Sequence, residues 1–316
     1  MSLRFVAVTK ERKTSRKAKA SLGVHRAADS SAPLIAIDFI SAADMMKRNI
    51  DPEMVRELIR AGALDRLALD LPWQAFEQML KNGITPAVIQ ALKRAADSAS
   101  AQTAATLKKA LGYEPVLTFD ARNPRLQSWI ADNTGELITG ITRDGKKAVK
   151  DVVKRALSTE MDSLDIFQTV KNVIGLTRQQ GNAVFNFYKG MLDEGMDKED
   201  ALGRAEQYAD RSLKYRANLV AQHETMVAAN QGLNEGWAQA AEQDLFNPKQ
   251  AEVEWVITDD DRLCPTCENM KGVRRPFEGS WTVELLTDTG ASYGTKQVEN
   301  PSESHPRCRC TSMLIL

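Results

Sequence analysis

All four cysteines of this 316-residue chain lie after residue 263, in two short motifs. The motifs are Cys264-Pro-Thr-Cys267 and His305-Pro-Arg-Cys308-Arg-Cys310. Two residues between ligands let one tight turn present both side chains to the same ion, and zinc takes four nitrogen or sulfur ligands in a tetrahedron. We therefore expect one structural zinc ion. Its expected ligands are Cys264, Cys267, His305 and Cys308, with Cys310 as a substitute for either of the last two.

The alternatives are two disulfides, or reduced thiols without a metal. Synthesis in the cytoplasm disfavours disulfides, and a Cys-x-x-Cys with a distant His-x-x-Cys is a rarer coincidence than a single pair. A redox Cys-x-x-Cys needs a surrounding βαβ pattern, which the sequence lacks. Four protein ligands leave no open position for an activated water, so the expected zinc is structural rather than catalytic.

Upstream of these motifs the sequence is mostly helical in pattern. Pro72 and Gly83 mark the ends of one predicted helix, and Thr85-Pro86 caps a longer one that runs to Leu111. Residues 113–120 favour a short strand or an extended connection. Four further helices are predicted: 124–139, a second with an apolar stripe from Val149 to Leu157, a third over 166–174, and a fourth that opens with a capping box at Thr177.

A long helix is predicted from Asp197 to beyond Ala241, because apolar residues recur there at helical spacing. At 1.5 Å per residue it is roughly 60 Å long, so it spans the molecule, kinks at Gly232 or Gly236, or packs against a partner. The following segment alternates apolar and polar residues, which favours strands. The predicted fold class is α+β: predominantly helical with a long helix in the carboxyl-terminal half, followed by a small β-rich, zinc-stabilised module.

Charge is distributed unevenly, although 42 basic residues balance 42 acidic ones. Residues 1–30 contain eight Lys or Arg against two acidic residues. Such a block is typical of a solvated tail, and it can also contact phosphates. The predicted units are 1–30, a basic flexible tail; 31–112, a helical module; 113–250, a helical core; and 251–316, a β-rich zinc-binding unit.

Membrane and enzyme functions are not expected. No apolar run approaches the roughly 20 residues of a bilayer span, and the amino end lacks a secretory signal, so we expect a soluble, cytoplasmic product. His223 and Glu224 are adjacent, without the intervening residue of a zinc deaminase motif. No phosphate-binding glycine loop, serine nucleophile elbow or metalloprotease motif occurs. The run Asp259–Asp261 predicts an acidic turn rather than a cation site.

The strings DDDRLCPTC at 259–267 and SHPRCRC at 304–310 resemble the carboxyl-terminal signature of phage minor head proteins of the Mu F-like family. Residues 119–141, 174–196 and 215–232 are similar to the helical core of that family, in the same order. The resemblance covers about residues 113–316. The chain departs from the family at Gln222-His223, where Arg-Thr is frequent, and at 301–304, where two prolines are frequent.

The resemblance implies a non-enzymatic, low-copy component of the phage head that acts in procapsid assembly, DNA packaging or DNA delivery. Its implied partners are the portal protein and the major capsid or scaffold protein, with DNA contacted through the basic tail. Its implied location is the capsid interior near the portal, after assembly in the host cytoplasm. Two alternatives stay open: a zinc-containing nucleic-acid-binding protein that uses the tail, Arg307 and Arg309, and an enzyme such as a nuclease or toxin.

Overall fold

The computed structural model describes residues 16–111, 118–159 and 161–316. Helices dominate these ranges as far as residue 242. They are α1 (Arg16–Arg48), α2 (Pro52–Arg60), α3 (Leu64–Asp70), α4 (Trp73–Leu111), α5 (Pro124–Ser158), α6 (Ser163–Val173), α7 (Arg178–Asp193) and α8 (Lys198–Glu242). None of the helices in these ranges combines the length and the apolarity that a bilayer span requires.

The helices α1, α4 and α8 pack extensively against one another. Their contact faces are apolar, and Phe39, Leu92 and Ala217 are fully buried there. The same core continues into α5, α6 and α7, so it crosses the expected boundary at residue 112. Burial of this one continuous core fixes how the long helices lie beside each other.

The expected break between two helices near residue 85 is wrong, because α4 runs without interruption through Gly83 and Pro86. Gly83 does not end a helix; a Cβ atom there would lie 2.4 Å from Cγ of Asp38 in α1. The glycine therefore permits a close approach of two helices. Pro86 costs one backbone hydrogen bond, and the complete burial of Val88 and Leu92 on the next turns offsets that loss.

The expected division of residues 124–158 into two helices is also wrong, since α5 is continuous. One buried stripe runs along its whole length and includes Ile130, Ile138, Val149 and Val153. Two predicted helix starts are confirmed. Asn123 caps α5, and the capping box at Thr177 opens α7.

The long helix is confirmed as α8, which contains 45 residues and is capped by Asp197. It continues through Gly232 and Gly236, where its backbone lies against α4. A Cβ atom on Gly232 would lie 2.3 Å from the carbonyl oxygen of Leu92. These glycines thus allow α8 to pack closely against α4.

The expectation of a flexible tail over residues 1–30 is wrong from residue 16 onward, where the chain forms α1. Val24, Ala27 and Ala28 are buried against the rest of the protein. Burial of these apolar side chains stabilises α1. The charge of the segment, on which the prediction rested, gives no information about that burial. Residues 1–15 lie outside the described residues, as does most of the strand expected at 113–120; residues 118–120 are not in a strand.

The carboxyl-terminal module, residues 251–316, is β-rich as predicted. Its elements are β1 (Glu252–Val256), α9 (Pro265–Asn269), β2 (Arg274–Pro276), β3 (Trp281–Leu286), β4 (Ser292–Val298), a short 3-10 helix (Pro301–Glu303) and β5 (Thr311–Ile315). One antiparallel sheet has the order β2-β1-β5, and β3 pairs with β4 in a hairpin. The α+β fold class is therefore confirmed.

The module does not have a core of its own. The rings of Trp255 and Trp281 lie 5.2 Å apart at its centre, and this apolar cluster also contains Val24 of α1, Ala95 of α4 and Leu233 of α8. A unit this small buries little apolar surface alone. Residues of three long helices complete its core.

We predict that Gly232→Ala destabilises the protein by about 1 to 3 kcal/mol, because the added Cβ collides with the backbone of α4. Gly203 is the matched control: it lies on the same helix, and a Cβ there meets nothing within 4 Å. Gly203→Ala should stabilise the protein by up to about 1 kcal/mol through helix propensity. Urea denaturation of both variants measures the difference, and equal effects would contradict the close packing.

Candidate metal centre

The two cysteine motifs meet at one place in the module. Sγ of Cys264 and Sγ of Cys267 each lie 3.1 Å from Nε2 of His305, and Sγ of Cys267 lies 3.6 Å from Sγ of Cys308. The donor atoms form two groups of three that share Cys267, with all atoms of each group within 4.8 Å of one another. The groups are Cys264, Cys267 and His305, and Cys267, Cys308 and Cys310.

The first motif is shaped by the start of a short helix. Cys264 is the N-cap residue of α9, and Pro265 occupies the first helical position. Proline is favoured at that position because it has no N–H to satisfy. The backbone N–H of Cys267 donates to Sγ of Cys264 at 3.4 Å. The turn therefore holds both sulfurs on the same side of the chain.

The second motif is also a tight turn, and a proline again follows its first donor residue. The N–H of Cys308 donates to the carbonyl oxygen of His305 at 3.3 Å, and Arg307 adopts a φ of 66° to close the turn. Nδ1 of His305 lies 2.9 Å from the carbonyl oxygen of Pro306. A proton on Nδ1 satisfies that carbonyl and leaves the Nε2 lone pair directed at the sulfurs, as in metal-binding histidines.

The separation of two buried sulfurs matches a tetrahedral ion. With metal–sulfur bonds of about 2.3 Å, neighbouring sulfurs in a tetrahedron lie about 3.8 Å apart. The measured 3.6 Å between Cys267 and Cys308 is close to that value. All four thiols are unpaired; three are buried and Cys264 is half-buried. The cluster of Cys264, Cys267, His305, Cys308 and Cys310 can therefore hold a metal ion.

Hydrogen bonds within the cluster shift the pKa values of its members in opposite directions. A hydrogen bond from Cys267 lowers the pKa of Cys264 to about 4, and a similar bond lowers the pKa of Cys308. The same bonds raise the pKa of Cys267. Burial lowers the pKa of His305, but hydrogen bonds to Cys264 and Cys308 outweigh it and raise the value to about 11. The protonated groups of Cys267 and His305 thus lie between the thiolates of Cys264 and Cys308. Metal binding releases such protons.

Two polar contacts fasten the second motif to the long helices. Nδ2 of Asn230 in α8 donates to the carbonyl oxygen of Cys310 at 3.1 Å. Nε2 of His25 in α1 lies 2.8 Å from the carbonyl oxygen of Arg309. No local pattern predicts either contact, because each joins segments that are distant in the chain. His25 lies in the region that was expected to be a flexible tail.

The acidic run before the first cysteine also contributes to the turn. The carboxylate of Asp260 accepts from the backbone N–H of Arg262 at 3.1 Å and pairs with the side chain of Arg309. Asp260 therefore links the two motifs and supports the expected acidic turn. Arg262 lies 3.6 Å from the same carboxylate.

The adjacent pair His223 and Glu224 lies on α8, outside the donor groups. Glu224 is half-buried and faces Asn133 of α5, whose amide donates to its carboxylate at 3.4 Å. Burial raises the pKa of Glu224 to about 7, and the bond from Asn133 opposes that rise. Burial lowers the pKa of His223. The pair is divided between two interfaces of the helix.

Comparison with protein-family models, with curated proteins and with solved structures gave no match. The geometry of the cluster is therefore the strongest indication of function in this chain. Its donors come from both cysteine motifs.

We predict that removing metal from the purified protein loosens the module while the helical bundle persists. Trp255 and Trp281 are buried beside the cluster, so their fluorescence should shift to longer wavelength when a chelator is added. Circular dichroism should retain most of its helical signal. Adding back zinc should reverse the shift, and an unchanged spectrum after proven metal loss would contradict a stabilising role.

We predict that Glu224→Gln makes stability less dependent on pH. The carboxyl has a folded-state pKa of about 7 against an ordinary value of 4.5, so the folded state retains the proton more strongly. Its contribution to the unfolding free energy is present at low pH and is lost as pH rises from about 4.5 to 7. The variant should gain about 1 to 2 kcal/mol at pH 7.5 and little at pH 4.

Denaturation at several pH values measures this dependence. Glu206→Gln is the control, because Glu206 is an exposed carboxylate on the same helix. A parallel shift of both variants at every pH would contradict the assignment to Glu224.

Proposed function

We propose that the protein is a structural component of a phage head, a minor head protein whose carboxyl-terminal module is held together by one zinc ion. The observation that carries this proposal is the convergence of the two motifs on one cluster of donors. The motifs are also the segments that resemble the signature of minor head proteins. The metal-binding geometry and the resemblance therefore depend on the same residues.

Zinc fits the chemistry of the donors better than a hard cation does. Thiolate and imidazole ligands suit zinc, whereas magnesium and calcium take oxygen ligands. We assign the four positions to Cys264, Cys267, His305 and Cys308. Cys310 is the additional thiol, on the buried side of the cluster. This set supplies a complete shell, which favours a structural role over activation of water.

The location of the cluster supports a mechanical role. Its motifs flank the strands β1 and β5, which pair with each other over five residues. The module packs on α1, α4 and α8. The ion would close the long loop between the two motifs, and it would stabilise the module against these helices. A protein that must keep one shape within a large assembly requires such rigidity.

The proportions of the molecule also suit assembly. At 1.5 Å per residue α8 extends for about 67 Å, longer than the helices of most compact domains. We propose the portal protein as the partner of this chain, in the capsid interior. The major capsid or scaffold protein is the further candidate that the resemblance implies.

We predict one zinc ion per chain in protein purified without added metal. Cys267→Ser should abolish stoichiometric zinc and lower the melting temperature, because Cys267 belongs to both donor groups. Cys310→Ser is the matched comparison and should retain zinc, since the other four donors remain. Elemental analysis and thermal unfolding test both variants. Zinc loss from Cys310→Ser but not from Cys308→Ser would exchange the roles of these two thiols.

Co-expression with the portal protein of the same phage tests the assembly role. The wild-type chain should co-purify with portal and be present in purified particles, and Cys267→Ser should reduce both. A zinc-containing chain that never associates with portal or with particles would refute the minor head assignment.

A further inference from the structure

One exposed face of α8 combines basic and aromatic side chains. Arg204, Tyr208, Arg211, Tyr215 and Gln222 follow one another at intervals of three, four or seven residues, which places them on the same side of a helix. We call this set the α8 stripe. Its members are exposed except Tyr208, which is half-buried, and the side chain of Tyr215 is 57% exposed. The buried residues Ala205, Ala209 and Leu213 lie on the other side of the helix.

The stripe carries positive charge without internal compensation. None of its five positions is acidic. Within the described ranges, no carboxylate forms an ion pair with Arg204 or Arg211. Asp210, the residue before Arg211, instead pairs with Lys47 of α1 at 3.3 Å. The two guanidinium groups are therefore available to an anionic ligand.

Tyr208 is held in place by neighbouring side chains. The guanidinium of Arg211 lies 6.0 Å from the ring centre of Tyr208. Phe187 of α7 meets the same ring edge to face, with 5.1 Å between the centres. Tyr215 lies about two turns beyond Tyr208, and its side chain projects into solvent. A planar ligand can stack on such a ring without a large change in the protein.

The stripe leads to a cavity beside the metal cluster. Gln222 lines this cavity, which has a volume of about 590 Å³, and Arg262, Arg307 and Arg309 lie in its wall. Arg262 and Arg309 share the carboxylate of Asp260. Arg307 is exposed, and its position is fixed by the turn that presents Cys308. Two carboxylates, Asp29 and Asp288, also line the cavity.

The cavity continues the line of the stripe along α8. Met226 follows Tyr208 by five helical turns and therefore lies on the same face. At Met226 that face is covered by the module, because the hydroxyl of Ser302 donates to the Met226 carbonyl oxygen at 3.3 Å. The open part of the face thus ends where the module and its arginines begin.

We propose that the α8 stripe and the adjoining arginine-lined cavity bind a single strand of nucleic acid. Arg204, Arg211 and Arg307 would contact phosphates, and Tyr215 would stack on a base. The open stripe extends about 27 Å, which accommodates several nucleotides. The combination of unpaired arginines with an exposed tyrosine favours a strand with accessible bases over an acidic protein, which offers no planar groups in regular succession.

Binding of full-length, zinc-containing protein to a fluorescent oligodeoxythymidine of about 20 nucleotides tests the proposal. Anisotropy titrations at several salt concentrations give the affinity and its salt dependence. Arg211→Gln and Arg307→Gln should each reduce the slope of log affinity against log salt by about 0.7, because each removes one phosphate contact. Tyr215→Ala should weaken binding about tenfold with little change in slope, because stacking is not ionic.

Arg66→Gln is the control for charge alone, since Arg66 is an exposed arginine on α3 that pairs with Asp70. Circular dichroism verifies that each variant folds. Absent binding, equal weakening by Arg66→Gln, tighter binding of a duplex than of the strand, or binding that survives all the stripe variants would overturn the proposal. The last result would assign the contact to another region, such as the basic residues 1–30. Because this readout is independent of zinc content and of portal association, either proposal can fail without the other.

Discussion

The packing of α8 against α1 and α4 is the constraint on which the rest of the structure depends. The backbone of α8 approaches α4 so closely at Gly232 that no side chain fits between them. The same helix contributes Leu213 to the core of the bundle and Leu233 to the core of the module. Displacement of α8 would therefore disturb both cores together, which explains why a single helix crosses from one to the other.

The donor cluster compensates for the small size of the module. Short strands in a unit of this size bury too little apolar surface to hold long loops in place. The two motifs supply directional bonds where apolar contacts are few. The buried thiols Cys267 and Cys308 also pack within the apolar core, so the residues that bind the ion also contribute to the packing around it.

Local sequence patterns predicted most of what depends on neighbouring residues. The capping box at Thr177 and the length of α8 follow from spacing over a few turns, and the pairing of the two cysteine motifs follows from the four ligands that one zinc ion takes. The errors arose where distant contacts outweigh local preference. Pro86 remains within a helix because of burial in the bundle, and α1 extends into the basic region because Val24 packs on the module. Neither His25 nor Asn230 could be identified as a support of the second motif from the sequence.

The contact between His25 and the carbonyl oxygen of Arg309 joins residues 284 positions apart. During synthesis α1 leaves the ribosome long before the second cysteine motif exists. The apolar face around Val24 and Ala27 therefore stays exposed until residues of the module, which are translated much later, can cover it. Exposed apolar surface of this kind promotes aggregation. α1 is thus synthesised early, although part of its apolar face packs against the segment that is synthesised last.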